Sequence, residues 1–473
     1  MRSSHTGSAV SIPTSAIERL DAFVTELRST TVPVSDFEQF ERRLHELFAA
    51  AESEIIASEL AKFDMDVPEV IVDGVRCRRV FRGPATYLNG AAEMRIERSL
   101  YRPVGGGKSV CPMELGAGII EGYWTPGAAQ ASAWAVAHLT PGESEQLFRR
   151  LGGMQPSRSS LDRLPKKLSE RWEESRGAFE EAVRIEEVIP GNAATLAVSL
   201  DGVKTPMKDG KRKEKREAQR KAGKQTSGPN GYREVVCGTV TLYDADGVRL
   251  CTWRSARMPE KNKVTIKRSL RAEVESILAA RPDLTLVKVA DGARDNWTFL
   301  GQDLPDGEEC LDFFHAAEHL DNALISAYGE TAPKRRSQFE KLRVILRDEI
   351  DGVETVIRAL AYLRKKHPRR KTIKKELTYF RRNRHRMRYA ELKARSLPIG
   401  SGVVEAACKT LVTQRMKRSG MRWGMQGGQA ILTLRAAAQS ERFDRTWQFL
   451  AATYSSDVAL PDKVVPLHQP AAA

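Results

Sequence analysis

The chain has 473 residues, with 76 Lys and Arg against 61 Asp and Glu and a net charge of +15. That length excludes one compact core and predicts several domains. The basic surplus points to a polyanion, nucleic acid being the commonest, although a merely basic enzyme stays open. The six cysteines, Cys77, Cys111, Cys237, Cys251, Cys310 and Cys408, include no CxxC pair, which argues against a zinc ribbon or a disulfide framework. No apolar run approaches a membrane span and the first residues lack a signal-peptide core, so a cytoplasmic, nucleoid-associated protein is expected.

The pattern along the chain predicts a multidomain α+β protein. Residues 1–63 read as a helical region, with Leu20, Phe23, Val24 and Leu27 at helical spacing. Residues 64–124 change to short extended runs punctuated by Asp73-Gly74 and Gly83-Pro84. Residues 125–190 read as short helices between tight turns, the last rich in Ser, Arg and Lys, as a helix-turn-helix reader of DNA ends requires. Arg158 would stand at the start of that last helix; Pro165 sits awkwardly inside it, and a purely structural three-helix unit is the alternative.

From residue 191 to 315 the pattern becomes α/β. Strands are expected from Leu196 to Asp201, Val235 to Tyr243, Val248 to Arg254, Leu284 to Ala290 and Cys310 to Phe314, with Asp244-Ala-Asp-Gly247 as a hairpin turn. Three antiparallel strands, a helix and two further strands separated by a helix is the order of an RNase H-like sheet. Residues 316–396 instead read as basic helices, an all-α insertion that splits this catalytic domain. Its last helix would begin near Ser401 within residues 397–454, and residues 455–473 read as a flexible tail.

Attack on a DNA phosphodiester requires a deprotonated oxygen nucleophile and neutralisation of the leaving oxygen's charge. Two Mg²⁺ ions, or Mn²⁺ in their place, do both when held by carboxylates that leave room for water and phosphate. Asp201, in Ser199-Leu-Asp-Gly-Val203, and Asp291, in Val289-Ala-Asp-Gly-Ala293, stand at matching ends of strands that neighbour one another in such a sheet. One Asp-Gly alone is ordinary turn chemistry. Glu405, in the first turn of the last helix, would complete the set. With Gly402 as N-cap it could equally favour the helix dipole at N3 or pair with Lys409.

The chain resembles the ISKra family of insertion-sequence transposases, within the DDE group. The resemblance lies in Leu200-Asp-Gly-Val203, Val289-Ala-Asp-Gly292, Asp312-Phe-Phe-His-Ala-Ala-Glu-His319, Ile399-Gly-Ser-Gly-Val-Val-Glu405, Arg415-Met-Lys-Arg-Ser-Gly-Met-Arg-Trp423 and Leu434-Arg-Ala-Ala-Ala438. It runs from about Ala194 to Trp447 and implies Asp201, Asp291 and Glu405 as the catalytic, metal-holding triad. Relatives often carry a cysteine-containing ribbon where this chain has Tyr101 to Pro112 with Cys111 alone, a departure that argues against zinc here.

Asp312 and His315 resemble a supporting pair that follows the fifth strand in similar transposases; a capping Asp beside a buried His is the alternative. Zinc between His315 and His319 lacks further ligands. Lys211, Arg212 and Lys213 belong to a basic run between the first two strands, on a mobile loop or short helix, placed to hold phosphates or simply solvated. Arg381, Arg382 and Arg384 interleave with Tyr379, Phe380 and Tyr389, a pattern that can stack on exposed bases. Arg415, Lys417, Arg418 and Arg422 follow Glu405 and would lie near bound DNA, while Trp423 suits the core. The expected activity is therefore DNA strand cleavage and strand transfer of an insertion sequence, with transposon ends and target DNA as partners and a homodimer or higher oligomer on DNA. An RNase H-like nuclease or resolvase, or a domesticated transposase that only binds DNA, is the rival.

Overall fold

A computed structural model describes residues 14–208, 211–224 and 231–461. It is a mixed α/β protein with two sheets, divided into two compact units. One holds the residues up to Phe179 together with those from Asp444 onward, and the other runs from Glu180 to Phe443.

In the first unit, α1 (Thr14–Ser29) and α2 (Phe37–Ala61) precede a sheet of β1 (Glu69–Val72), β2 (Val75–Leu88) and β3 (Glu93–Pro103). Asp73 and Gly74 both have positive φ (47° and 77°), the geometry a two-residue hairpin turn needs to match strand twist. The strand order is β3-β2-β1-β9, where β9 (Val458–Ala459) pairs antiparallel with β1. The tail expected to be loose from residue 455 thus begins with an edge strand, because β1 offers unpaired backbone groups on that side.

After the short α3 (Pro112–Gly116) come α4 (Pro126–His138), α5 (Pro141–Leu151) and α6 (Arg158–Glu174). Thr140 and Glu143 form a reciprocal capping box that starts α5, and Ser157 caps α6 by accepting from the Ser160 amide. Pro165 lies within α6 without ending it. Its ring is buried with Leu161, Leu164 and Leu168, and that packing offsets the missing N–H. The helix α7 (Arg176–Ile185) leads on to the second unit, and α19 (Phe443–Ala452) leads back from it.

The second unit is built on β4 (Thr195–Pro206), β5 (Tyr232–Tyr243), β6 (Arg249–Arg257), β7 (Thr285–Ala290) and β8 (Glu308–Leu311), in the order β6-β5-β4-β7-β8. Strand β5 pairs antiparallel with both β4 and β6, while β7 pairs parallel with β4 and β8 parallel with β7. The helix α8 (Lys211–Lys221) lies between β4 and β5, α9 (Val264–Ala280) after β6, and α10 (Arg294–Gln302) after β7. Val236, Val240 and Leu242 of β5 share a core with Ile266, Leu270 and Val274 of α9, whereas Val235 and Cys237 pack with another set. Alternate residues of one strand therefore serve opposite faces.

Two strand limits differ from expectation. Asp201 does not end β4, which continues to Pro206 because β5 pairs with it along its whole length. Strand β8 stops at Leu311; Asp312 accepts a hydrogen bond from the Phe314 amide and caps α11 (Phe313–Tyr328) instead.

The helices α12 (Pro333–Asp348), α13 (Gly352–Lys366), α14 (Lys371–Asn383) and α15 (Tyr389–Ala394) follow. Leu320, Leu346, Val356, Leu360 and Phe380 belong to the same continuous core as Leu196, Val287 and Leu311. The segments divided at residue 316 in the sequence therefore share one interior. The chain then forms α16 (Gly402–Ala407), a π-helical turn at Cys408–Thr413, α17 (Gln414–Met416) and α18 (Met425–Gln439). Val404, Ala407, Leu411 and Leu432 cover the other face of the sheet, against Val235, Cys237 and Ala256.

Arg442 closes this unit. Its guanidinium meets Glu187 at 2.6 Å and Glu273 at 2.6 Å, and lies over the Trp253 ring. Replacing it by Met removes the guanidinium that faces two largely buried carboxylates. Arg442→Met is expected to cost about 3–5 kcal/mol, measured as a lower urea midpoint at unchanged m-value. No described helix is long and apolar enough to cross a membrane.

Candidate metal centre

The parallel register of β4 and β7 runs from Thr195 opposite Thr285 to Ser199 opposite Val289. Carried on two residues, it sets Asp201 level with Asp291, just beyond the end of β7. Asp291 Oδ1 accepts hydrogen bonds from the Ala293 amide and Asn296 Nδ2, each at 3.1 Å. The same Asn296 amide reaches the Leu200 carbonyl at 3.4 Å, so this buried side chain ties the end of β7 to the middle of β4. Trp297 Nε1 donates to the Asp291 carbonyl at 2.5 Å. The first turn of α10 thereby fixes Asp291 in place. Asn296 stands five residues beyond Asp291, and sequence pattern alone offers no signal for it.

Asp201 lies on the face covered by α16 and the π-turn, where Cys408 Sγ donates to its Oδ2 at 3.6 Å. Burial pushes the Asp201 carboxyl above its ordinary range. The Gly202 amide pulls it back, the charge of Asp291 pushes it up again, and Cys408 and His315 lower it. A carboxylate so placed is costly as a bare anion and gains from a nearby cation. The sign of the pH effect follows from the raised value. The penalty is absent below the unfolded carboxylate range and grows as pH rises through the folded one. Asp201→Asn is therefore expected to raise the melting temperature of the metal-free protein at neutral pH, by about 2–4 °C for each kcal/mol relieved, with no gain near pH 3.

Glu405 stands in the first turn of α16, but Ser401 rather than Gly402 is the N-cap, so Glu405 is the fourth helical residue and not the third. Ser401 Oγ contacts Glu405 Oε1 at 2.9 Å and also Asp312 Oδ2. A hydroxyl has one proton to donate. It can satisfy one of these carboxylates, and the other then faces an oxygen lone pair unless a proton or cation intervenes. Asp312 is fully buried, its backbone amide bonded to the Ala290 carbonyl at 2.9 Å.

Among the described residues, the group of metal-capable side chains that closes on one point is Asp312, His315 and Glu405, whose ligand atoms all lie within 4.8 Å of one another. Two oxygens on opposite sides of one Mg²⁺ stand about 4.2 Å apart, so modest side-chain rotation would suffice. Asp201 and Asp291 are not in that trio. The expected set of Asp201, Asp291 and Glu405 thus divides, with the two aspartates level on neighbouring strands, Asp201 within β4 and Asp291 just past β7, and the glutamate gathered with the pair expected only to support it. His319 turns away from His315: its Nδ1 meets the buried Glu376 carboxylate at 2.5 Å, and its ring stacks on Tyr379 at 3.6 Å.

The expected DNA contacts divide as well. Arg158 is exposed at the start of α6, and Arg381, Arg382 and Arg384 are exposed at the end of α14 and just beyond. Lys417, Arg418 and Arg422 are exposed between α17 and α18. Arg415 is a correction. It is 2 % exposed and lies over the Trp423 ring, which it helps to seat, so it cannot reach DNA from there. Lys211, Arg212 and Lys213 fall on α8, and their side chains lie outside the described residues. No protein-family model and no curated protein matches this chain.

Proposed function

We propose that the chain is a metal-dependent DNA strand-transfer enzyme, an insertion-sequence transposase of the DDE kind with an RNase H-like core split by a helical insertion. The observation that carries this is the sheet order β6-β5-β4-β7-β8 with Asp201 within β4 level with Asp291 just past the end of the neighbouring β7, while Glu405 comes from a helix packed on that same sheet. Asp201 and Asp291 would hold one divalent cation, and Asp312, His315 and Glu405 a second. Bound Mg²⁺ or Mn²⁺ supplies positive charge that eases deprotonation of the attacking oxygen and neutralises the leaving one.

The chain's own residues do the positioning. Asn296 and the Ala293 amide aim Asp291, Ser401 stands between Glu405 and Asp312, and Cys408 donates to Asp201. DNA is the substrate and partner, with Arg158 and the exposed arginines of α14 and the α17–α18 loop as its phosphate contacts, on an oligomer of this chain. The test is incubation of the purified protein with DNA bearing the inverted repeats that flank its gene. Magnesium-dependent nicking and joining at the repeat end are expected. Binding without metal-dependent cleavage would favour a domesticated binding protein, and cleavage without regard to the ends a nuclease.

A further inference from the structure

We propose that a cavity between α10 and α14, beside Asp291, binds a phosphate group of a nucleic-acid strand; the identity of that strand as DNA rests on the function proposed above. The cavity measures about 420 Å³ and is lined by Gly292, Arg294, Trp297, Gln302, Arg382 and Arg386, among others. Its cations differ in how they are held. Arg386 is fixed, donating to Glu309 at 2.6 Å and lying 4.0 Å over the Trp297 ring. Arg382 is steered by a 3.3 Å hydrogen bond to the Gly292 carbonyl. Arg294 and Arg382 are exposed, and neither meets a carboxylate among the described residues.

Three guanidinium groups thus face one cavity, and among the described residues Glu309, bonded to Arg386, is the carboxylate paired with them. The nearby Asp295 is occupied by Lys263 and Lys267. Planar guanidinium groups converging with more positive than negative charge match the oxygens of a phosphate. Gly292 leaves no room for a side chain, since a Cβ there would stand 2.4 Å from the Tyr379 ring. The backbone and Tyr379 therefore meet directly, one residue from Asp291, and the buried Tyr379 hydroxyl has no hydrogen-bond partner. Gly292, which lines the cavity, adjoins Asp291, so a strand with a phosphate at the carboxylates would run beside it.

The phosphate could be internal or at a strand terminus, so the test uses labelled single-stranded decamers with and without a 5′-phosphate. Affinity for the full-length protein is read by fluorescence anisotropy in EDTA over a salt series. The double variant Arg294→Gln/Arg382→Gln is expected to bind at least about tenfold more weakly, with the slope of log K against log salt smaller by about one. Arg358→Gln, an exposed arginine on α13, should bind as the wild type does. Weakening confined to the 5′-phosphorylated decamer assigns the cavity to a strand end; equal weakening of both assigns it to an internal diester. Unchanged affinity and slope in the double variant, with its melting temperature intact, would overturn the proposal and leave the metal centre untouched. A wild type that binds neither decamer would overturn it together with the strand-transfer function.

Discussion

Asp201→Asn, Asp291→Asn and Glu405→Gln should each lower end cleavage and strand transfer by about 10³-fold or more, equivalent to about 4 kcal/mol or more of lost transition-state stabilisation. Each substitution keeps size and hydrogen-bonding reach while removing the charge that a divalent cation needs. The cause is therefore separable from folding. Asp201→Asn sharpens the separation, because relief of a buried carboxylate should make the metal-free protein more stable while abolishing its activity. End binding, which rests on phosphate contacts elsewhere, should change by less than about threefold. A variant that keeps full strand transfer would remove its residue from the site.

Asp312→Asn carries the second large effect. A carboxylate that merely oriented a metal ligand would cost about 10–100-fold on removal. If Asp312 itself holds a cation with His315 and Glu405, its loss should match that of Glu405→Gln, about 10³-fold. Ser401 gives an internal control. Ser401→Ala removes the hydroxyl between Asp312 and Glu405 and should cost about 10–100-fold, with its greatest effect at low metal concentration. His315→Asp should shift preference from Mn²⁺ toward Mg²⁺, because an imidazole ligand favours the softer ion. Electron paramagnetic resonance titration with Mn²⁺ reads that change without any substrate.

The strands that carry Asp201 and Asp291 are legible in the sequence, although β4 runs on past Asp201 to Pro206. Ala197, Ser199 and Asp201 alternate with bulky neighbours, and a buried apolar run stops at Asp291-Gly292. The sheet order follows from those strands and one crossover helix. What pattern could not give is the grouping of the carboxylates. Asp312 looked like part of a fifth strand, and only the cap it makes with the Phe314 amide turns its side chain toward Ser401 and Glu405. Asn296, Ser401 and Cys408 act through contacts across 96, 89 and 207 residues of chain, separations that no local periodicity encodes. Arg415 misled for the opposite reason: charge suggests a surface, but stacking on Trp423 buries it. The continuous core from β7 through α14 was equally hidden, since a basic helical stretch reads as a separate body until its apolar faces are matched to the sheet.

Anomalous diffraction from crystals of the protein soaked in Mn²⁺ would locate the ions themselves. Density is expected at two places, one between Asp201 and Asp291 and one enclosed by Asp312, His315 and Glu405, with the second lost in Glu405→Gln. Saturating Mn²⁺ that leaves both places empty, with end DNA bound, would contradict a cation-dependent centre here.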